Sequence, residues 1–305
     1  MQTRLRLLHT LQADLDHWLP EVRATRRHGL GLGVAGLLWG GSVKLPRIAA
    51  ALPFERATVP SLERRIQRWL ANDAVDPDAL WLPLLPPLLG RVAGAAPCFV
   101  LDPTDLPEGR RVVVLGLAVR HRVLPVAWSW QSNQEPWDQR LGEIVTAFAP
   151  GVNAALPGGV VPTLLADAGL SGPGLLGAGV DAGWHDLLRL PLTHTSSHRV
   201  RLPEGHEDRL WKLVTGPGQH WHAPVDVCKG AGWIPVQVTI HWDGGAGEPW
   251  ILVSDQDAKR RVFDLPTSKL RHRAPRPPGR RPRPRPVVGS PPRPANHPRR
   301  AAHPL

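Results

Sequence analysis

Two aspartates carry the chemistry most plainly suggested by this chain. Asp102 lies in "CFVLDPTDL", where an apolar, β-branched run meets its first acid. Asp167 lies in "GVVPTLLADAGL", a second buried-strand pattern that again stops at an acid. If the two strands are neighbours in a central sheet, both carboxylates emerge at one end. Anionic groups so placed repel unless a cation joins them, and Mg²⁺ (or Mn²⁺) suits a site of carboxylate, water and phosphate oxygens. Paired divalent ions of this kind clamp the attacking and leaving oxygens of a phosphodiester. The plainer reading of each aspartate alone is turn chemistry, "DPTD" being a natural Asx-turn.

The elements that must position these acids are readable in outline. "APCFVLDPTDL", "RRVVVLGLAVR" and "VLPVAWSW" are β-rich segments with short joints, which predicts an antiparallel meander. "WDQRLGEIVTAFAP" follows as a helix with Leu141, Ile144, Val145 and Phe148 inward, then the Asp167 strand, then "GWHDLLRLPL" as another strand. Three strands, a helix and a strand is the opening order of a ribonuclease H-like sheet, so the expected fold class is α/β with a mixed sheet.

Residues 1–95 read as helical. In "RLRLLHTLQADLDHWL", Leu5, Leu8, Leu11, Leu15 and Trp18 recur at helical spacing. "SLERRIQRWL" is expected to start with Ser61 as N-cap and Glu63 in its first turn, with Leu62, Ile66, Trp69 and Leu70 on one face. Arg64, Arg65 and Arg68 fall on the other face, read first as solvated surface and second as a DNA-facing patch. Residues 200–250 are strand-like, as in "WIPVQVTIHW", and "EPWILVSD" closes the core with one more strand.

Charge separates the tail from the body. From Lys269 to Leu305 there are ten Arg and one Lys and no acid, so the remaining 26 basic residues balance the 26 acids. The Arg/Pro-rich segment 269–305 has no aromatic residue and too little apolar surface to offset its ordering entropy, which predicts disorder. Two cysteines, Cys98 and Cys228, exclude a disulfide scaffold and point to a cytoplasmic setting. The apolar run Gly29–Val43 is too short and Gly-rich for a membrane span. "GLGVAG" satisfies GxGxxG without a preceding strand, so dinucleotide binding is not expected. "HWH" at His220–His222 sets two imidazoles on one side of a strand, short of the ligands that a zinc site needs. "THTSSH" reads as a polar loop, and neither a P-loop nor a GxSxG elbow occurs.

Taken in order, "VLDPTDL", "LGLAVRHRVLPVAWSW", "LLADAGLSGPGLL", "GWHDLLRL" and "EPWILVSD" resemble the IS4-like DDE transposases over roughly residues 20–268. The resemblance implies a ribonuclease H-like core (96–268) with a β-rich insertion at about 191–250, and a helical N-terminal region (1–95) that positions DNA. It implies cutting and joining of double-stranded DNA at transposon ends and target, with Asp102 and Asp167 as the first two metal-holding acids. Asp105 is then a supporting or turn residue, and Pro103 departs from the Thr more usual there. It further implies pairing of two protomers on DNA, a nucleoid location, and neither a membrane nor a small-molecule substrate. Trp211, Trp221, Trp233 and Trp242 in the insertion are expected to pack in the core or to stack on an unpaired base. The family's third acid is a Glu within Y-x2-R-x3-E-x6-K after the "EPWILVSD" strand. This chain has no Tyr and no Glu after Glu248. Two explanations stand: a shifted reading frame, leaving a transposase impaired or inactive by itself, or a tail adapted to bind nucleic acid through counterion release.

Overall fold

The computed structural model describes residues 2–256, apart from 55, 93, 95, 121, 135–139, 171 and 192–198. The tail and "THTSSH" therefore lie outside the described residues. Six helices come first: α1 (Gln2–Trp18), α2 (Ala24–Gly40), α3 (Leu45–Ala51), α4 (Val59–Leu70), α5 (Pro77–Trp81) and α6 (Leu85–Val92). The first four close around Leu8, Leu32, Ala35, Ile48, Ala49, Leu52, Leu62 and Ile66. Of the apolar residues expected to point inward, Leu5 and Leu70 are exposed, and Arg64, Arg65 and Arg68 face solvent.

The start of α4 differs from the sequence expectation. Thr58 is the N-cap, its hydroxyl accepting from the Ser61 N–H at 3.4 Å, and no acid lies in the first turn. Pro60 explains the shift: its fixed φ and missing N–H suit the first turn, so the helix opens before it rather than after it. The "GLGVAG" stretch lies inside α2, where its Gly36 and, ahead of the stretch, Gly29 serve close packing. A Cβ on Gly36 would stand 2.4 Å from Ile48 Cγ2, and one on Gly29 would stand 2.1 Å from Trp69 Cδ1. The lowered helix propensity, about 1 kcal/mol per glycine, is offset by helices brought into contact.

The sheet follows. β1 (Cys98–Leu106), β2 (Arg110–Val119) and β3 (Arg122–Ser132) form the expected antiparallel meander. α7 (Leu141–Ala155) crosses over to β4 (Thr163–Ala166), and α8 (Ala178–Asp181) precedes β5 (His185–Leu190). β4 is parallel to both β1 and β5. The insertion supplies β6 (Arg199–Arg201), β7 (Glu207–Arg209), β8 (His220–Val227) and β9 (Ile234–His241), and β10 (Trp250–Ser254) returns beside β5. Among the described residues the ten strands make one mixed sheet in the order β3-β2-β1-β4-β5-β10-β9-β8-β6-β7. The insertion thus extends the central sheet edge-on. The fold is α/β: one mixed sheet with a helical N-terminal region, its meander, helix and following strands in the order read from the sequence. No described helix is long and apolar enough to cross a membrane.

Period-2 alternation assigns the two faces. Phe99, Leu101, Val113, Leu115, Leu164, Ala166 and Leu188 enter the main core with Leu141, Ile144, Val145 and Val152 of α7. Phe99 is fully buried against Trp184, ring centroids 5.5 Å apart, a burial that contributes about 2–3 kcal/mol. Trp184 Nε1 donates to Asn153 Oδ1 at 2.6 Å, and Asn153 Nδ2 donates to the Ala182 carbonyl, which ties α7 to the approach to β5. The other face carries a smaller cluster of Cys98, Leu165, Leu187 and Leu252.

Candidate active site

Asp102 is not at a strand tip. β1 runs on through Pro103 to Leu106, still paired with β2, so "DPTD" is extended strand and not an Asx-turn. What ends beside Asp102 is β4. The parallel β1–β4 register closes at Leu101↔Ala166, and the next residue on each chain is Asp102 and Asp167. Past that point β1 continues as the edge strand of a three-stranded ribbon with β2 and β3, where a proline lacking an N–H is tolerated.

Adjacent strands lie about 4.8 Å apart, and laterally paired residues share a face. Leu101 and Ala166 point into the helix-covered core, so the two aspartates follow Val100 and Leu165 on the opposite face. Asp102 is exposed and Asp167 half-buried. Asp167 Oδ1 accepts from the Ala168 N–H at 2.7 Å and lies 3.4 Å from Arg189 Nη1. Arg189 stands next in the same lateral row, since Ala166 pairs with Leu188. Its Nη2 reaches Glu248 Oε1 at 3.0 Å, and its guanidinium lies 5.0 Å from the centre of the Trp250 ring. The row thus reads acid, acid, cation, with a further acid behind the cation. Asp105 pairs across the ribbon with Arg111, Nε to Oδ1 2.7 Å, which makes it a cross-strand partner.

Oxygen-only donors, side by side and open to water, are the set that a hard divalent cation takes. The residues fit Mg²⁺ or Mn²⁺ as a two-carboxylate holder. Among the described residues no group of three or more His, Cys, Asp or Glu side chains converges as a metal cluster.

A second pair of acids lies at the other end of β5. Asp186 is buried, its Oδ2 accepting from the Gly177 N–H at 2.9 Å and its Oδ1 from the Gly179 N–H at 3.0 Å. These are the N-terminal amides of α8, so the carboxylate anchors that turn. Burial foremost, with the Asp255 charge added, pushes the Asp186 carboxyl up to about 6 against the opposing N–H bonds. Asp255 accepts from the Asp186 N–H and contacts His185 Nδ1 at 2.9 Å. Burial raises the Asp255 carboxyl, but the bonds from Gln256, His185 and Asp186 outweigh it and hold the group below the usual range. An open cavity of about 580 Å³ borders this end, lined by Arg201, Asp226, Gln237 and Asp255, away from Asp102 and Asp167.

Trp221 and Trp242 pack against the main core. Trp233 sits between two cations, 5.0 Å from Arg201 and 5.7 Å from Lys229. Sequence reasoning missed Arg189, Glu248 and the Asp186–Asp255 pair. The available signal was "HDLLRL", in which a strand with a buried apolar centre carries an acid and a base three residues apart, hence on opposite faces.

No family model matches the chain, and no curated protein matches it. Among solved structures the chain is similar to human ENDOV, with 12% identity and a TM-score of 0.30 over 59% of this chain and 83% of that one. It is similar also to the catalytic domain of human Endonuclease V, with 13% identity and a TM-score of 0.29 over 58% of this chain and 81% of that one.

Proposed function

We propose that this chain is a DNA transposase of the DDE class, impaired by the lack of the third acid. The observation that supports it is the Asp102–Asp167 adjacency: two acids from distant segments, one residue beyond the same register pair. The two carboxylates would hold Mg²⁺ or Mn²⁺. Bound there, such ions activate water or a 3′ hydroxyl and neutralise charge developing at phosphorus. Around them the protein supplies rigidity, because both acids ride on strands whose next residues inward are buried. Arg189 restrains Asp167 and adds positive charge beside an incoming phosphate. The helical region 1–95, with Arg64, Arg65 and Arg68 exposed on α4, would position duplex DNA, and two protomers would pair on it.

A second reading is a non-catalytic DNA-binding remnant or inhibitor of an intact enzyme. It is favoured by the Arg189 contact with Asp167, which places a cation where a further metal-holding acid would be useful, and by the absence of Glu after Glu248. A nicking assay on supercoiled plasmid in Mn²⁺, run beside a duplex gel shift, separates them. The transposase reading expects slow nicking that Asp102→Ala and Asp167→Ala each abolish while the gel shift stays. Duplex binding without nicking selects the remnant. Nicking unchanged in both variants, or no duplex binding at all, overturns the assignment.

A further inference from the structure

The sequence places His220 and His222 on one side of β8, and the structure gives each a different partner. His222 Nδ1 meets Thr239 Oγ1 at 2.8 Å. His220 pairs in register with His241 of β9, and the two Nδ1 atoms are 3.0 Å apart. The imidazoles lie within 7° of parallel with centroids 4.9 Å apart. Because the nitrogens are closer than the centroids, the ring edges that carry Nδ1 face each other. Behind His241, Asp243 Oδ1 lies 2.6 Å from Nε2.

This arrangement assigns the tautomer. A carboxylate accepts, so Nε2 of His241 carries the proton and its Nδ1 presents a lone pair toward His220. In the metal-free state the proton between the two Nδ1 atoms belongs to His220. Transfer of that proton to solvent, with His220 re-protonated at Nε2, leaves both Nδ1 lone pairs directed into the gap between the rings. A carboxylate on the far nitrogen of a ligating histidine is the arrangement that orients the ring and raises its basicity in metal sites. Tetrahedral zinc, with Zn–N about 2.0–2.1 Å, needs the two nitrogens about 3.3 Å apart. Two surface side chains on paired strands reach that by parting a few tenths of an ångström and turning their rings toward the ion.

We propose that His220 and His241 form a cross-strand binding site for a zinc-class transition-metal ion, with Asp243 as the positioning carboxylate. The site is open: His220 is exposed and His241 half-buried, so water fills the remaining coordination positions. Imidazole selects Zn²⁺, Ni²⁺ or Cu²⁺ over Mg²⁺, which keeps this ion distinct from any held by Asp102 and Asp167. Its structural effect is a clasp between β8 and β9, the longest paired strands of the insertion.

Zinc titration of the full chain by calorimetry, with matched melting curves, tests this. One Zn²⁺ equivalent bound by the unsubstituted chain is expected to be lost in His220→Ala and equally in His241→Ala, and kept in His222→Ala. Asp243→Asn should weaken that equivalent about 10–100-fold. At a hundredfold excess over Kd, Zn²⁺ should raise the Tm of the parent by about 5–10 °C more than that of His220→Ala. A hundredfold excess of Mg²⁺ should not displace it, and the Asp102→Ala/Asp167→Ala double variant should retain it. Equal zinc stoichiometry and affinity in the parent, His220→Ala and His241→Ala, or loss of the equivalent in the acid-pair variant, overturns the proposal.

Discussion

Two pairs of acids flank the strands β4 and β5, and their surroundings are opposite. Asp102 and Asp167 stand at the C-terminal end of β4 on the less covered face, Asp102 exposed and Asp167 half-buried beside the Arg189 guanidinium. Asp186 and Asp255 stand at the N-terminal end of β5, with Asp186 on the helix-covered face, where backbone amides take up its oxygens. One pair lies on an open face, and the other holds the chain together. The difference teaches that strand-end acids are sorted by what satisfies them. The buried Asp186 has both oxygens taken up by amides of the α8 turn, whereas Asp167 takes one amide and a guanidinium and keeps an edge toward water.

The largest effect expected at the buried end comes from Gly179→Ala. The new Cβ would lie 2.0 Å from Asp186 Oδ1, forcing the carboxylate off both amides. Overpacking plus the lost bonds should cost about 4 kcal/mol, read by urea denaturation. The pH dependence is next. The folded Asp186 carboxyl is raised to about 6 from 3.8, so the native state binds the proton more tightly than the unfolded chain. This contribution to stability is therefore full below about pH 4 and declines as pH rises through 6, by about 3 kcal/mol. Asp186→Asn should flatten that part of the stability–pH curve.

At the open end stability should barely respond. Asp102→Ala and Asp167→Ala should each shift it by no more than about 1 kcal/mol, in the same denaturation assay. A loss at Asp167 as large as that at Gly179 would erase the contrast. The smallest effect sharpens it: Arg189→Gln removes a cation competing for Asp167 and should tighten Mn²⁺ about threefold, measured by electron paramagnetic resonance.

Much of the sheet was legible because its strands carry their own punctuation. The β1–β3 meander, α7 and the two following strands are each bounded by turn residues, and local alternation gave their inward faces. Asp102 and Asp167 could be named as a pair, but not their register, which depends on β1 and β4 pairing across α7. Asp102 was read as a strand tip because the apolar run stops there, and only the β2 partner keeps the following segment extended. Arg189 was invisible as a site neighbour for the same long-range reason. His241 was likewise missed as the partner of His220, since cross-strand pairing, not sequence spacing, joins them. The α2 glycines fit GxGxxG without the strand that motif requires, and the packing role of Gly36 and Gly29 needs the positions of Ile48 and Trp69.

The central claim is that Asp102 and Asp167 together grip one divalent ion. Mn²⁺ binding to the full chain, followed by electron paramagnetic resonance, tests it directly in the parent, Asp102→Asn, Asp167→Asn and the double variant. The account predicts that either single change removes the tightest Mn²⁺ site and that the double change removes no more. Full-strength binding in either single variant, or two independent losses that add in the double variant, would contradict it.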